Sequence, residues 1–175
     1  MIIVLQDVRS VHNVGSIFRT ADAAGVEKIY LGGITPEPVD RFGRPDQQFV
    51  KVSLGAEKTV AWDASARSAR ATLKLLERLK KDGYTILAVE QSKKSIPYFK
   101  VVLRRAQDKN KLALIFGNEV NGLSSAILKK ADKILEIPMQ GAMVQQAHHP
   151  RRLGRGKESL NVSVAAGIII FHFIY

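Results

Sequence analysis

Apolar residues gather into short runs parted by polar, glycine- and proline-bearing stretches. Ile2 to Leu5 is one such run, suited to a buried strand, and Gln6 to Ser10 is polar enough to leave a sheet. In the next stretch Ile17, Phe18, Ala21 and Ala24 fall on one helical face, Asn13 suits an N-cap, and Gly25 can close the helix. Ile29 to Leu31 forms a second strand, and strand, helix, strand is the unit of a parallel pair in an α/β fold. Ile34 to Gln48, with Pro36, Pro38, Gly43 and Pro45, reads as a loop, and Lys51 to Trp62 as loop with a short strand. A helix is expected from Ala64, its apolar face made of Ala66, Ala69, Leu73, Leu76 and Leu79 and its end marked by Gly83.

Tyr84 to Val89 is a further strand, ending at Glu90, Gln91 and Ser92. Leu112 to Phe116 runs unbroken into Gly117, Asn118 and Glu119, with Gly122 next and a helix start near Ser124. Open α/β proteins bind ligands just beyond such strand ends, although a plain connection needs the same turn glycines. Ile134 to Ile137 gives one more strand. The segment from Ser159 to Tyr175 is apolar nearly all round, so it needs cover from the sheet or from a partner subunit. It is shorter than the stretch of about 20 apolar residues that a membrane span requires.

The length of 175 residues suits one domain, and no repeat or domain boundary interrupts it. Lysine and arginine number 27 against 16 acidic residues, and a net charge of +11 favours a polyanionic partner, with a merely basic protein as the plain alternative. The absence of cysteine excludes disulfides, a thiol nucleophile and thiolate metal sites. His148 and His149 lack a clear third ligand, so no metal is expected. The first residues carry no secretory signal, which makes an internal, cytoplasmic location the default. The Rossmann glycine fingerprint is absent.

Several basic groups invite a second reading. Arg67, Arg70, Lys74, Arg78 and Lys81 recur at helical spacing, either as a solvated face or as a stripe that tracks a nucleic-acid backbone. Arg19 follows Gly15 and Ser16 in the first helix, where free amides and a guanidinium suit a phosphate; an exposed helix arginine is the bland alternative. Arg41 and Arg44 lie in the proline-rich loop, either touching a substrate or solvated.

Three separated blocks, NVGSIFRTADAAG, LALIFGNEVNGLS and IPM followed later by SLNVSVAAGI, resemble in order the three motifs of the SpoU (TrmH-like) RNA 2′-O-ribose methyltransferases of the SPOUT class. The resemblance implies an α/β domain of mostly parallel strands with a C-terminal trefoil knot, bound S-adenosylmethionine, and a homodimer acting on tRNA or rRNA. It gives functional roles to Asn13, Arg19, Glu119, Ser159 and Asn161. It gives cofactor contacts to Glu90, Gln91, Gly117, Ile137, Met139 and Leu160, with the glycine expected to allow close approach of the cofactor. The family's proposal that the arginine acts as base meets a physical objection, since a guanidinium stays protonated. Arg19 gripping the adjacent phosphate and steadying the developing alkoxide is the more conservative role.

The chain departs from the family pattern between Gly141 and Ser159, where AMVQQAHHPRRLGRGKE stands in place of a few residues, an excess of roughly a dozen or more that is strongly basic and that precedes the family's glycine if Gly156 is that residue. Arg151 and Arg152 in it belong either to a loop that contacts RNA phosphate or closes over the site, or to an excursion with no role. No separate RNA-binding domain is expected. Two alternatives stay open: an RNA-binding protein of the same fold with weakened or lost catalysis, and an RNA base methyltransferase.

Overall fold

A computed structural model describes residues 1–101, 111–139 and 159–175. Within them a single parallel sheet is built from β1 (Ile2–Gln6), β2 (Lys28–Gly32), β3 (Ala61–Asp63), β4 (Thr85–Val89), β5 (Ile96–Pro97), β6 (Leu112–Phe116) and β7 (Lys133–Glu136), in the order β3-β2-β1-β6-β4-β7-β5. β1 and β6 lie side by side in mid-sheet and are buried at every residue. That is why their sequences are continuous apolar runs and not alternating ones. Parallel neighbours need long crossovers, and the helix α1 (Val11–Ala23) supplies the one between β1 and β2.

Helices cover both faces. Successive side chains of a strand point to opposite sides, so Ile3, Leu5, Ile29 and Leu31 pack with Ile17 and Phe18 of α1 and with Phe49 of α2 (Gln47–Ser53). Ile2, Val4, Ile86 and Ile115 face the other way, against Leu75, Leu76 and Leu79 of α4 (Ala69–Lys81) and Ile127 of the one-turn α5 (Ser125–Leu128). The C-terminal helix α6 (Val162–Ile174) buries Ala166, Ile169, Ile170 and Phe173 on the first face. It leaves Val164 50%, Phe171 41% and Tyr175 82% exposed, an outer stripe of apolar surface that its own sheet does not cover. No helix among the described residues is long and apolar enough to cross a membrane.

The structure corrects four local expectations. Ser10, not Asn13, caps α1: its hydroxyl accepts the Asn13 N–H at 3.3 Å and the helix begins at Val11. Lys51 to Trp62 is mainly helical, with α2 running into Leu54 and Gly55, both left-handed, before the short α3 (Ala56–Thr59) and β3. The helix expected from Ala64 starts at Ala69, capped by Ser68; Ala69 is exposed, and the buried face includes Thr72, whose hydroxyl donates to Gln6 Oε1 at 2.7 Å. Arg67 therefore stands outside any helical stripe, held by the carbonyls of Gly33 and Thr35 and by Glu37. Arg78 lies over the Tyr30 ring. Residues 140–158, which contain the basic insertion with Arg151 and Arg152, the adjacent histidines and chain needed for the implied knot, lie outside the described residues.

Candidate active site

The carboxyl ends of β4, β6 and β7 converge with the amino ends of α1 and α6 around a cavity of about 670 Å³. Strand ends free their backbone groups from the ladder there, and the volume is that of a small-molecule site. Val89, Phe116, Leu135 and Ile137 supply apolar lining, while Asn13, Glu119 and Asn161 bring polar groups together at one side.

Those three residues come from distant parts of the chain and are joined in series. The Asn13 amide donates through Nδ2 to Glu119 Oε1 at 2.9 Å, and its Oδ1 accepts from Asn161 Nδ2 at 3.1 Å. Asn161 caps α6, its Oδ1 accepting the Ser163 N–H at 2.9 Å and the Ser163 hydroxyl at 2.7 Å. Each amide is thereby held in one orientation, because its donor and acceptor ends have different partners. The carboxylate of Glu119 also accepts the Arg9 and Ser10 N–H groups at 3.2 and 3.4 Å, at the start of α1. Burial alone pushes the Glu119 carboxyl up; the Asn13 amide and the N–H groups of Glu119, Arg9 and Ser10 together outweigh it and hold the group below its usual range.

The turn that carries Glu119 is itself fixed from both sides. Asn118 donates through Nδ2 to the Asp7 carbonyl at 2.8 Å, while its Oδ1 accepts the N–H groups of Val120 and Asn121, each at 2.9 Å. Glu90 accepts the Leu123 N–H at 2.8 Å and its neighbour Gln91's at 3.0 Å. A Cβ at Gly117 would lie 2.7 Å from the Gly122 carbonyl carbon and 2.8 Å from Leu123 N. Glycine is required at 117 because the chain doubles back on itself, a constraint that stands apart from any ligand. Gly122, with φ +63°, has room for no side chain beside the Glu90 carboxylate.

Glu90, Gln91, Gly117, Ile137, Met139 and Leu160 all line the cavity, as do Asn13, Glu119, Ser159 and Asn161. Arg19 does not. It lies six residues beyond Asn13 on α1, about 9 Å along the axis and on the exposed side. Arg41 and Arg44 do not line the cavity either; they flank the exposed Phe42 at 4.7 and 5.0 Å from its ring centre. Arg44 is further tied to Asp40 by an ion pair of 2.8 Å. Sequence reasoning missed Arg9, Ser10 and Asn118. The serine three residues before Asn13 was the available signal for the cap, and the asparagine directly before Glu119 was the signal for the turn.

The cavity suits an amphipathic group such as S-adenosylmethionine. The close fold of Gly117 against Gly122 and Leu123 leaves backbone instead of side chain at the pocket edge, the apolar floor matches a base ring, and the carboxylates of Glu90, Glu119 and Glu136 in the lining favour a sulfonium. Among the described residues no group of three or more His, Asp or Glu side chains is arranged to hold a metal ion.

Comparison with known proteins agrees with this arrangement. A family model described as the SpoU rRNA Methylase family matches residues 1–145. The chain is 29% identical to a 23S rRNA (guanosine-2′-O-)-methyltransferase of Ralstonia nicotianae, over 99% of its own length and 58% of the relative's. It is 32% identical to a tRNA (guanosine(18)-2′-O)-methyltransferase of Aquifex aeolicus, over 98% of its own length and 67% of the relative's. Among solved structures it resembles the TrmH/SpoU tRNA modifying enzyme of A. aeolicus, with a TM-score of 0.68 and 30% identity over 99% of this chain and 73% of that one. An AdoMet-bound rRNA methyltransferase from Sinorhizobium meliloti matches with a TM-score of 0.75 and 25% identity, over 98% and 54% of the respective chains. The chain thus spans between 58% and 67% of these two sequence relatives. With a family model matched over most of its length and three motif segments gathered at one cavity, the chain belongs to the SpoU rRNA methylase family.

Proposed function

We propose that this protein transfers a methyl group from S-adenosylmethionine to a ribose 2′-hydroxyl of tRNA or rRNA. The observation that carries the reading is the hydrogen-bonded series Glu119, Asn13, Asn161 at the edge of a cavity lined by Gly117, Ile137, Met139 and Leu160. The cofactor, when bound, supplies an electrophilic methyl group. The work of this chain is to hold that group and the acceptor oxygen in line, and positioning of this kind accounts for much of the rate.

Asn13 and Asn161, with Ser159 beside them, orient the acceptor ribose, and Glu119 keeps Asn13 turned so that its amide cannot rotate. Arg19 acts from outside the cavity on RNA phosphate next to the acceptor, since its guanidinium cannot serve as base and it is remote from the pocket lining. The proton leaves to phosphate or water. Arg41 and Arg44 meet RNA phosphate further out, in keeping with the net charge of +11, and Arg151 and Arg152 do so from the insertion.

Two copies associate through the outer side of α6, whose exposed Val164 and Phe171 are the apolar surface such a contact needs. The protein works in the cytoplasm. The reading is tested by titrating the purified protein with S-adenosylmethionine and then following labelled methyl into total tRNA and rRNA. Binding near one per chain with label in RNA is expected; a folded protein that takes up no cofactor overturns the reading.

A further inference from the structure

A second cleft of about 360 Å³ opens beside the first, and Arg9 and Asn118 line both. Its polar lining includes Asp7, Asn121 and Ser124, and Ile34 and Ala69 add apolar surface. Ile34, 64% exposed, is an apolar side chain in the lining of this polar cleft.

Asp7 is the most constrained group there. Its backbone is left-handed at φ 56°, which few residues other than glycine adopt and which asparagine and aspartate tolerate best. Its Oδ1 accepts the Ile34 N–H at 3.0 Å and its Oδ2 accepts from Gln6 Nε2 at 2.7 Å. Gly33 leaves the space that the carboxylate fills, since a Cβ there would run into Oδ1. Each oxygen retains an unused lone pair, and the carboxylate is half-buried at the cleft wall. Around it the guanidinium of Arg9 and the side-chain amide of Asn121 have no hydrogen-bond partner among the described residues, so the cleft offers one fixed acceptor pair and free donors.

We propose that this cleft holds the base of the nucleotide whose ribose is methylated, and that Asp7 makes it select guanine. The proposal rests on the methyl-transfer reading above. Guanine carries adjacent N1–H and N2–H donors, which the two oxygens of one carboxylate accept together. Adenine and cytosine present an acceptor at the corresponding ring nitrogen, and uracil flanks its single N–H with two carbonyl oxygens that a carboxylate repels. The O6 and N7 acceptors of guanine suit Arg9 and Asn121. Ile34 and Ala69 give the ring faces an apolar contact. Because Arg9 and Asn118 belong to both cavities, a base in the second leaves its ribose toward Asn13 and the cofactor pocket.

The test uses the isotope-labelled full chain saturated with S-adenosylmethionine and titrated with guanosine, adenosine, cytidine and uridine 5′-monophosphates, with amide shifts as the readout. Guanosine monophosphate moves the signals of Ile34, Asn121 and Ser124 and binds about tenfold or more tighter than the other three, the discrimination of one bidentate pair. Asp7→Asn, which suits the same backbone, removes that preference. Ala69→Trp fills the cleft and abolishes the shifts, with cofactor affinity unchanged. Equal shifts from all four nucleotides, or a preference that survives Asp7→Asn, overturn the proposal. A chain that takes the cofactor and shows no guanosine monophosphate shifts overturns the cleft assignment and leaves the methyl-transfer reading standing; a chain that takes no cofactor overturns that reading instead.

Discussion

Asn13 and Glu119 lie 106 residues apart in sequence and 2.9 Å apart in space, amide to carboxylate. The contact ties the first turn of α1 to the turn after β6, and Asn161 extends it to the last helix. One side chain thus links three of the segments that surround the cavity, and each end of its amide has a separate partner.

Removing that link should cost both stability and rate. Asn13→Ala leaves the Glu119 carboxylate short of a donor and Asn161 short of an acceptor, a loss of about 1–3 kcal/mol in unfolding free energy. Single-turnover methyl transfer falls by at least an order of magnitude, while cofactor affinity changes little, because the cavity floor is untouched. Calorimetry beside rapid-quench kinetics separates the two effects, and an equal loss in both would show that Asn13 serves the cofactor instead.

Glu119 gives a pH signature. Its folded pKa lies below the unfolded value, so its contribution to stability is complete above the ordinary carboxylate pKa, about 4.3, and is lost as the pH falls through the lowered folded value. Glu119→Gln should therefore be less stable than the parent by about 1 kcal/mol at neutral pH, a figure kept small by the half-exposed setting. Denaturant titrations across the acid range should show the gap closing as pH falls. A gap that holds constant there would mean that the carboxylate's charge is not what the Asn13 amide and the Arg9 and Ser10 N–H groups stabilise.

Gly117→Ala tests the turn. The added methyl meets Gly122 and Leu123 at distances no carbon normally occupies, so the turn must shift, at a cost of about 1–3 kcal/mol. The shift carries Glu119 and the cavity edge with it. A lower Tm and at least tenfold weaker cofactor binding are expected, and an alanine variant with both unchanged would refute the close fold at this position.

Arg19→Ala addresses the one expected catalytic residue that stands away from the cavity. Being exposed, it should alter stability by less than about 0.5 kcal/mol and leave cofactor binding as it was. Methyl transfer to RNA should nevertheless drop severely, with Arg19→Lys recovering part of it as a point charge without the guanidinium fork. Full turnover by the alanine variant would remove Arg19 from the mechanism.

Much of the fold was legible because parallel strands buried on both faces are written as unbroken apolar runs, and β1 and β6 are such runs. Where the reading failed, a tertiary contact decided between equal local options. Ser10 and Asn13 are both good caps, and it is Glu119, reaching over from β6, that engages Asn13 and leaves the cap to Ser10. Thr72 is polar on a face expected to be apolar because Gln6 supplies its partner from the sheet. The seven- and four-residue helices after Asp46 are too short for their periodicity to show. Within the site, the motif residues were visible as types, but their order in the hydrogen-bonded series was not, and the six-residue step from Asn13 to Arg19 separates the two only once the helix that holds both is placed against the cavity. The role of Glu90 also changed. Its carboxylate clamps Leu123, so its position by the pocket comes with a structural task that no local pattern encodes.

The most direct test is nucleoside analysis of RNA methylated by the purified protein with labelled S-adenosylmethionine. Complete digestion followed by mass spectrometry should find the label in a 2′-O-methylated nucleoside whose 3′ linkage resists alkali, since that linkage is cleaved only through a free 2′-hydroxyl. Label on a base, with every linkage still alkali-sensitive, would contradict the account.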